Sequence, residues 1–350
     1  MIRRLLSGML LAGLVSTASA GEVRFTGEGH AYNPVWSLDG KHLAFEVNNY
    51  GDRSDLHISV VTGEIAKDAS KVNLPGGGGP FGGSQVVVNP AWHPQGIVVF
   101  EGSNTGGQFR LYYYQPGGGA ASEMISTTDV PGDITFPAIN PKGTSMVFVA
   151  DQTGNGDIYT RDTNTGAVTV AMKTDVAEMF PQFDSAGSKI LFTRKQNNTE
   201  DIFELAVSTG AETPVIGGNN DQSRPNYVNG GIVYFDNSRD SQSWDVKVVS
   251  GGNAKVLAKS VRLPLRARPA ISPDGNWVAY GFEDPTKSDS IMLSRVDGSK
   301  NVEIKTAYNA CGEPAITVQN GKTLLAYTAL PSSGADYRKL FVVDITDKLQ

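Results

Sequence analysis

Hydrophobic and polar positions recur in one order along nearly the whole chain. Residues 268–283, RPAISPDGNWVAYGFE, show the unit. A short apolar piece follows a proline, a Ser-Pro-Asp-Gly turn interrupts it, and a β-rich run comes next. Prolines matching Pro269 occur at Pro34, Pro90, Pro137, Pro181, Pro225 and Pro314, spaced by 56, 47, 44, 44, 44 and 45 residues. A second β-run follows each copy, as in DLHISVV, DIYTRDT and KLFVVDI. A weaker third run usually comes after it, such as AVTVAMKT.

Each unit therefore predicts four short strands. The residue two places after the proline is apolar or aromatic: Trp36, Trp92, Ile139, Phe183, Tyr227, Ile271 and Ile316. Asp or Asn in the turn can bond the local backbone, and glycine takes its positive-φ position. Val, Ile, Leu, Phe and Tyr in the following run suit a buried strand. One small antiparallel sheet cannot bury both faces, but sheets stacked around an axis can. A period of about 40–45 residues fits one blade of four strands. The fold class expected is all-β: a seven-bladed β-propeller with four-stranded antiparallel blades. No segment sustains a helical period.

The last copy stops after its third run, in KLFVVDITDKLQ. The segment Val23–Thr26 is expected to supply the missing outer strand and so close the last blade, which hides an open edge. Before it, residues 1–20 carry Arg3 and Arg4, an apolar run from Leu5 to Val15, and Ala18-Ser19-Ala20. That order predicts a secretory signal peptide cut after Ala20. The domain expected is then 21–350, periplasmic or secreted, with no integral membrane segment after cleavage. A formal net charge of −6 gives no footprint for nucleic acid. Cys311 is the sole cysteine and is expected to be a buried small hydrophobe with no disulfide.

The phrases PAISPDGNWVAY, PVWSLDGKHLAF and DQTGNGDIYTRDTNTG resemble the propeller repeats of TolB-like proteins, also called WD40-like or PD40 repeats. The likeness spans nearly all of the chain after residue 20. It implies a periplasmic propeller that docks another envelope protein, as TolB docks the peptidoglycan-associated lipoprotein. TolB also carries an N-terminal α/β domain, for which the expected cleavage site leaves no room here.

In a propeller the loops entering the inner strands gather at one mouth of the channel. This places His30, Asp133, Glu178, Arg224, Arg266, Arg268 and Glu313 there as partner-binding candidates. The partner expected is an envelope protein, such as a peptidoglycan-associated lipoprotein, bound by a monomer. No catalytic residue, metal ion or cofactor is assigned. The alternative is a ligand-binding or hydrolytic propeller of sugar or lactone type, with Asp133 and Glu178 as its carboxylate pair. His42, His57 and His93 occupy structural places in the repeat. Asp151–Asp157 lacks the acidic run of a calcium loop. Asp55, Asp157, Asp201 and Asp245 recur and are expected to cap turns through their own backbone. The glycine-rich stretch 75–83 lacks the Gly-Lys-Ser/Thr of a phosphate loop and reads as an insertion between blades.

Overall fold

The computed structural model describes residues 21–48, 53–75, 85–104, 107–240, 243–331 and 334–350. The expected signal peptide, and all of the glycine-rich stretch but Pro75, lie outside the described residues.

Among the described residues the strands form seven small antiparallel blades, two of which are joined at an edge. Blade three shows the plan, with Ile134–Ile139 innermost, then Ser145–Ala150, Asp157–Asp162 and Val168–Met172. Blades four, five and six repeat it over 177–216, 222–261 and 270–305. Blade two runs over 85–123, and blade one over 30–71 with its outer edge split between Ile65–Ala66 and Ser70–Lys71. A single parallel bridge, Ser54 to Val86, links these two blades. Blade seven takes Asn309–Gln319, Lys322–Leu330 and Lys339–Asp344 from the C-terminal end and Gly21–Val23 from the other.

Alternation along each second strand sends neighbouring side chains to opposite faces. Ala44 packs towards blade two with Trp92 and Phe100, whereas Phe45 packs towards blade seven with Leu324 and Leu340. Val147 faces Phe192 of blade four, while Phe148 faces Leu111 of blade two. Among the described residues there are seven such cores, one between each adjacent pair of blades. The core joining blades seven and one closes the ring. Burying each large side chain contributes roughly 1.5–3 kcal/mol.

The closing strand lies earlier than the sequence suggests, at Gly21–Val23 rather than Val23–Thr26. After Val23 the chain changes partner. The Arg24 carbonyl accepts from Ala69 N at 2.7 Å, and Phe25 bridges Ala69 and packs on Phe45 and His57. One short segment thus finishes blade seven and then fastens it to blade one. The recurring aspartates also act over a longer range than their own turns. Asp157, Asp201 and Asp245 accept from the backbone N–H of Thr174 and Gly218, just past their outer strands, and of Ser260, near the end of its outer strand. Asp55 pairs with Lys71 at 2.8 Å, on blade one's outer edge. The carboxylates tie the third strand to the outer edge of the blade, where the backbone would otherwise lack a ladder partner.

Six inner strands share one irregularity. Asn33, Asn89, Phe136, Phe180, Arg224 and Glu313 stand before repeat prolines and have φ between 45° and 54°. Each sits at a break in the register with the second strand. Proline has no N–H for the ladder, so a bulge is where an inner strand can hold it. The bulged N–H groups turn to side chains of the preceding blade. Asn33 N donates to Glu313 Oε2 (3.3 Å), Asn89 N to Glu46 Oε1 (2.9 Å), Phe136 N to Glu101 Oε1 (2.5 Å) and Arg224 N to Thr193 Oγ1 (3.1 Å). The Asn33 and Asn89 amides add bonds to Glu46 (2.7 Å) and Glu101 (2.6 Å). An alternating belt of carboxylates and carboxamides therefore runs across blades seven, one, two and three.

Two outcomes follow. Val23 is fully buried between blades seven and one. Val23→Asp should cost about 3 kcal/mol or more in urea denaturation, because it buries a charge without a partner. Val207→Asp, at a site 42% exposed, should stay within about 0.5 kcal/mol. Burial, reinforced by the nearby Glu46 carboxylate, pushes the Glu101 carboxyl up to about 7 against an ordinary value of 4.5. Between those two values the folded protein holds a proton that the unfolded chain has lost, so Glu101's contribution to stability falls as pH rises through that window. Glu101→Gln keeps an acceptor but cannot ionise. Its stability relative to wild type should rise by about 2 kcal/mol between pH 5 and pH 8; a pH-independent difference would remove the assignment.

Candidate functional site

The channel mouth where the inner strands begin is crossed by residues 262–269, which join blade five to blade six. The segment reaches three other blades and is also held by blade five. Leu265 N donates to Glu313 Oε1 in blade seven at 2.7 Å. Arg266 Nη1 reaches Glu46 Oε2 in blade one at 3.2 Å. Arg268 Nη2 donates to the Pro181 carbonyl in blade four at 2.6 Å. From blade five, Arg224 Nη1 donates to the carbonyls of Pro264 (2.6 Å) and Ala267 (3.2 Å). The segment is a plug held by side chains from around the ring.

Proline again explains the local path. Pro264 and Pro269 bracket the segment, and blade six is left with an inner strand of only Ala270–Ile271. Arg268 accordingly lacks the positive φ of its six counterparts. The Arg224 guanidinium lies 5.1 Å from the Phe180 ring centre, and Phe180 stands 4.6 Å from Phe136. These aromatic contacts link blades three, four and five where the carboxylate belt ends.

Four of the seven sequence candidates thus converge: Arg224, Arg266, Arg268 and Glu313. Glu313 is buried, which raises its carboxyl above the ordinary range. The other three stand apart. His30 is buried between Tyr32 and Tyr337, and its Nδ1 accepts from Arg338 N at 3.1 Å. Burial, then the Arg338 charge, lowers its pKa. Asp133 Oδ1 accepts from Phe109 N at 2.7 Å, and Asp133 N donates to Asp151 Oδ1. Glu178 is buried, and its Oε1 accepts from Arg194 Nε and Thr174 Oγ1, both at 2.8 Å. Arg194 also grips both carboxylate oxygens of Glu212 at 2.7 Å. Asp133 and Glu178 are therefore engaged by different partners.

Glu46, Glu101, Asn33 and Asn89 belong to the same assembly and were missed by repeat reading. A signal was present: Glu46 and Glu101 interrupt the apolar runs HLAFEV and VVFEG, where an unpaired acid would be costly. Cys311 is buried as expected. His57 stacks on Phe45 at 5.7 Å within blade one, and burial holds its pKa down at about 4. His93 Nε2 donates to the Gly143 carbonyl of the next blade's turn at 2.7 Å.

Beside the plug the inner strands line a cavity of about 340 Å³. Arg266, Ala267 and Arg268 form part of its wall, whereas Leu265 does not line it and is 46% exposed. The walls continue along the inner strands to Leu38, which is 64% exposed in the first hairpin turn of blade one. The plug thus separates a loop-side face bearing Leu265 from a cavity that opens beside Leu38. Among the described residues, no group of three or more His, Cys, Asp or Glu side chains is arranged to hold a metal ion.

Comparison with known proteins agrees with this architecture. TolB from Acinetobacter baumannii superposes with a TM-score of 0.58 at 18% identity, over 80% of this chain and 67% of that chain. An oligogalacturonate lyase from Vibrio parahaemolyticus gives 0.60 at 10% identity, over 93% and 91%. A puromycin-hydrolyzing peptidase from Mycobacterium tuberculosis gives 0.61 at 14% identity, over 94% of this chain but 54% of that chain. At such identities the likeness is one of fold, and one fold hosts unrelated activities. Among curated protein sequences, none matches the chain. The family described as TolB beta propeller domain, PD40, matches residues 123–320, more than half of the chain, and the chain belongs to that family.

Proposed function

We propose that this propeller is a non-catalytic docking scaffold of the cell envelope, which presents its loop-side face to a protein partner such as a peptidoglycan-associated lipoprotein. The observation that carries the reading is the plug. Its arginines are turned inward onto Glu46, Pro181 and the channel wall, which leaves Leu265 exposed on a surface fixed from around the ring. A surface already ordered loses little conformational freedom when a partner binds. Export to the envelope rests on the signal pattern of residues 1–20. A hydrolytic reading would need a free nucleophile beside a base, or a free carboxylate pair. Asp133 instead holds a backbone N–H of blade two, and Glu178 holds an arginine of its own blade.

The test is binding of a purified peptidoglycan-associated lipoprotein from the same organism, followed by calorimetry. Saturable binding is expected, weakened at least tenfold by Leu265→Asp, or about 1.4 kcal/mol. Val256→Asp, on the outer strand of blade five, should bind as wild type does. No binding by the wild type, or turnover of oligogalacturonides or peptide esters by it, would overturn the proposal.

A further inference from the structure

The cavity beside the plug has an unusual charge balance for a chain of net charge −6. Its lining includes two charged residues, Arg266 and Arg268, and no carboxylate. Four carboxamides share the wall: Asn33, Asn89, Gln182 and Asn226. The apolar surface comes from inner-strand prolines and from Trp36, Trp92, Phe136, Phe180 and the isoleucines of three blades. Both indole N–H groups already bond backbone carbonyls of neighbouring blades, Trp36 to Ala315 and Trp92 to Val35, so the tryptophans offer ring surface.

Arg266 has Glu46 as its counter-charge at 3.2 Å. Arg268 has no acidic partner among the described residues. Its one hydrogen bond is from Nη2 to a carbonyl, and its buried Nε donates to nothing. Its charged neighbour is a second guanidinium, Arg224, and burial together with that neighbour pulls the Arg268 pKa down to about 10. A cation withdrawn from water beside a like charge costs stability unless an anion joins it. Carboxylate and phosphate both match the fork of a guanidinium, and with Arg266 already paired to Glu46 the wall holds one uncompensated cation, which suits the single charge of a carboxylate.

We propose that the channel cavity is a binding site for a small organic monocarboxylate, whose carboxylate meets Arg268 while its body lies among the carboxamides and ring faces of the inner strands. The volume of about 340 Å³ lies near the lower end of the roughly 300–1,000 Å³ typical of small-molecule sites. The carboxamides can donate and accept, so they favour a body that carries hydroxyl or amide groups. The ligand enters beside Leu38, on the opposite side of the plug from Leu265. The site therefore stands or falls separately from the docking face.

The experiment is calorimetric titration of the full chain with acetate, lactate, gluconate and benzoate, with sorbitol and inorganic phosphate run alongside. At least one carboxylate should bind saturably with one site per chain, and sorbitol should not. Arg268→Gln should weaken that carboxylate at least tenfold, and Arg268→Lys less. Loss of the Pro181 contact could unsettle the plug, so Asn226→Asp provides a second reading: it adds a negative charge to the wall away from the plug and should also weaken binding at least tenfold. Leu265→Asp should leave carboxylate binding unchanged. The proposal is overturned if no carboxylate binds, if sorbitol binds as well as gluconate, if phosphate binds more tightly than every carboxylate, or if Arg268→Gln and Asn226→Asp both bind as wild type does.

Discussion

The bulged N–H before six of the seven repeat prolines is the group around which the channel is organised. It points away from its own ladder and is withdrawn from water, so it needs an acceptor from elsewhere. In blades one, two and three that acceptor is a carboxylate of the preceding blade: Glu313, Glu46 and Glu101. Each such bond ties one sheet to the next at the radius where the sheets come closest. The hydrophobic cores between blades set the spacing of the ring, and the belt sets the angular position of the inner strands of blades one, two and three. Backbone strain at Asn33, Asn89, Phe136 and Arg224, each of order 1 kcal/mol or more, is offset by bonds of this kind.

The belt does not run round the whole ring, and its interruption shapes the site. From blade three to blade five the contacts become aromatic, through Phe136, Phe180 and the Arg224 guanidinium. At blade six the bulge is replaced by the plug, whose Leu265 N–H returns to Glu313 and so rejoins the belt. The channel is consequently polar and acid-bonded on one side and aromatic with arginines on the other. One segment of chain both closes the loop-side mouth and furnishes the charged wall of the cavity.

Much of the architecture was legible because a blade is a local object. Turn glycines, alternating apolar residues and a proline every 44 residues or so are properties of neighbouring sequence. The closing role of the N-terminal segment was legible too, since an outer strand was missing at the other end. Its register was not, because Arg24 and Phe25 leave blade seven for a partner in blade one. PAISPDGNWVAY, one of the stretches most like the family repeat, has the shortest inner strand. The mouth residues were only partly legible: Arg224, Arg266, Arg268 and Glu313 meet, whereas His30, Asp133 and Glu178 are each engaged by a partner outside that group.

By itself, then, the order of residues determined the number of sheets, their strand content and the way the ends of the chain are used, since each follows from short-range pattern and the need to bury both faces of a sheet. Tertiary structure alone decided which charges pair. Glu46 meets Arg266 across 220 positions and Asn33 meets Glu313 across 280. Only closure of the ring brings such groups within a hydrogen bond, and whether an arginine faces a carboxylate, a carbonyl or the channel cavity depends on that closure.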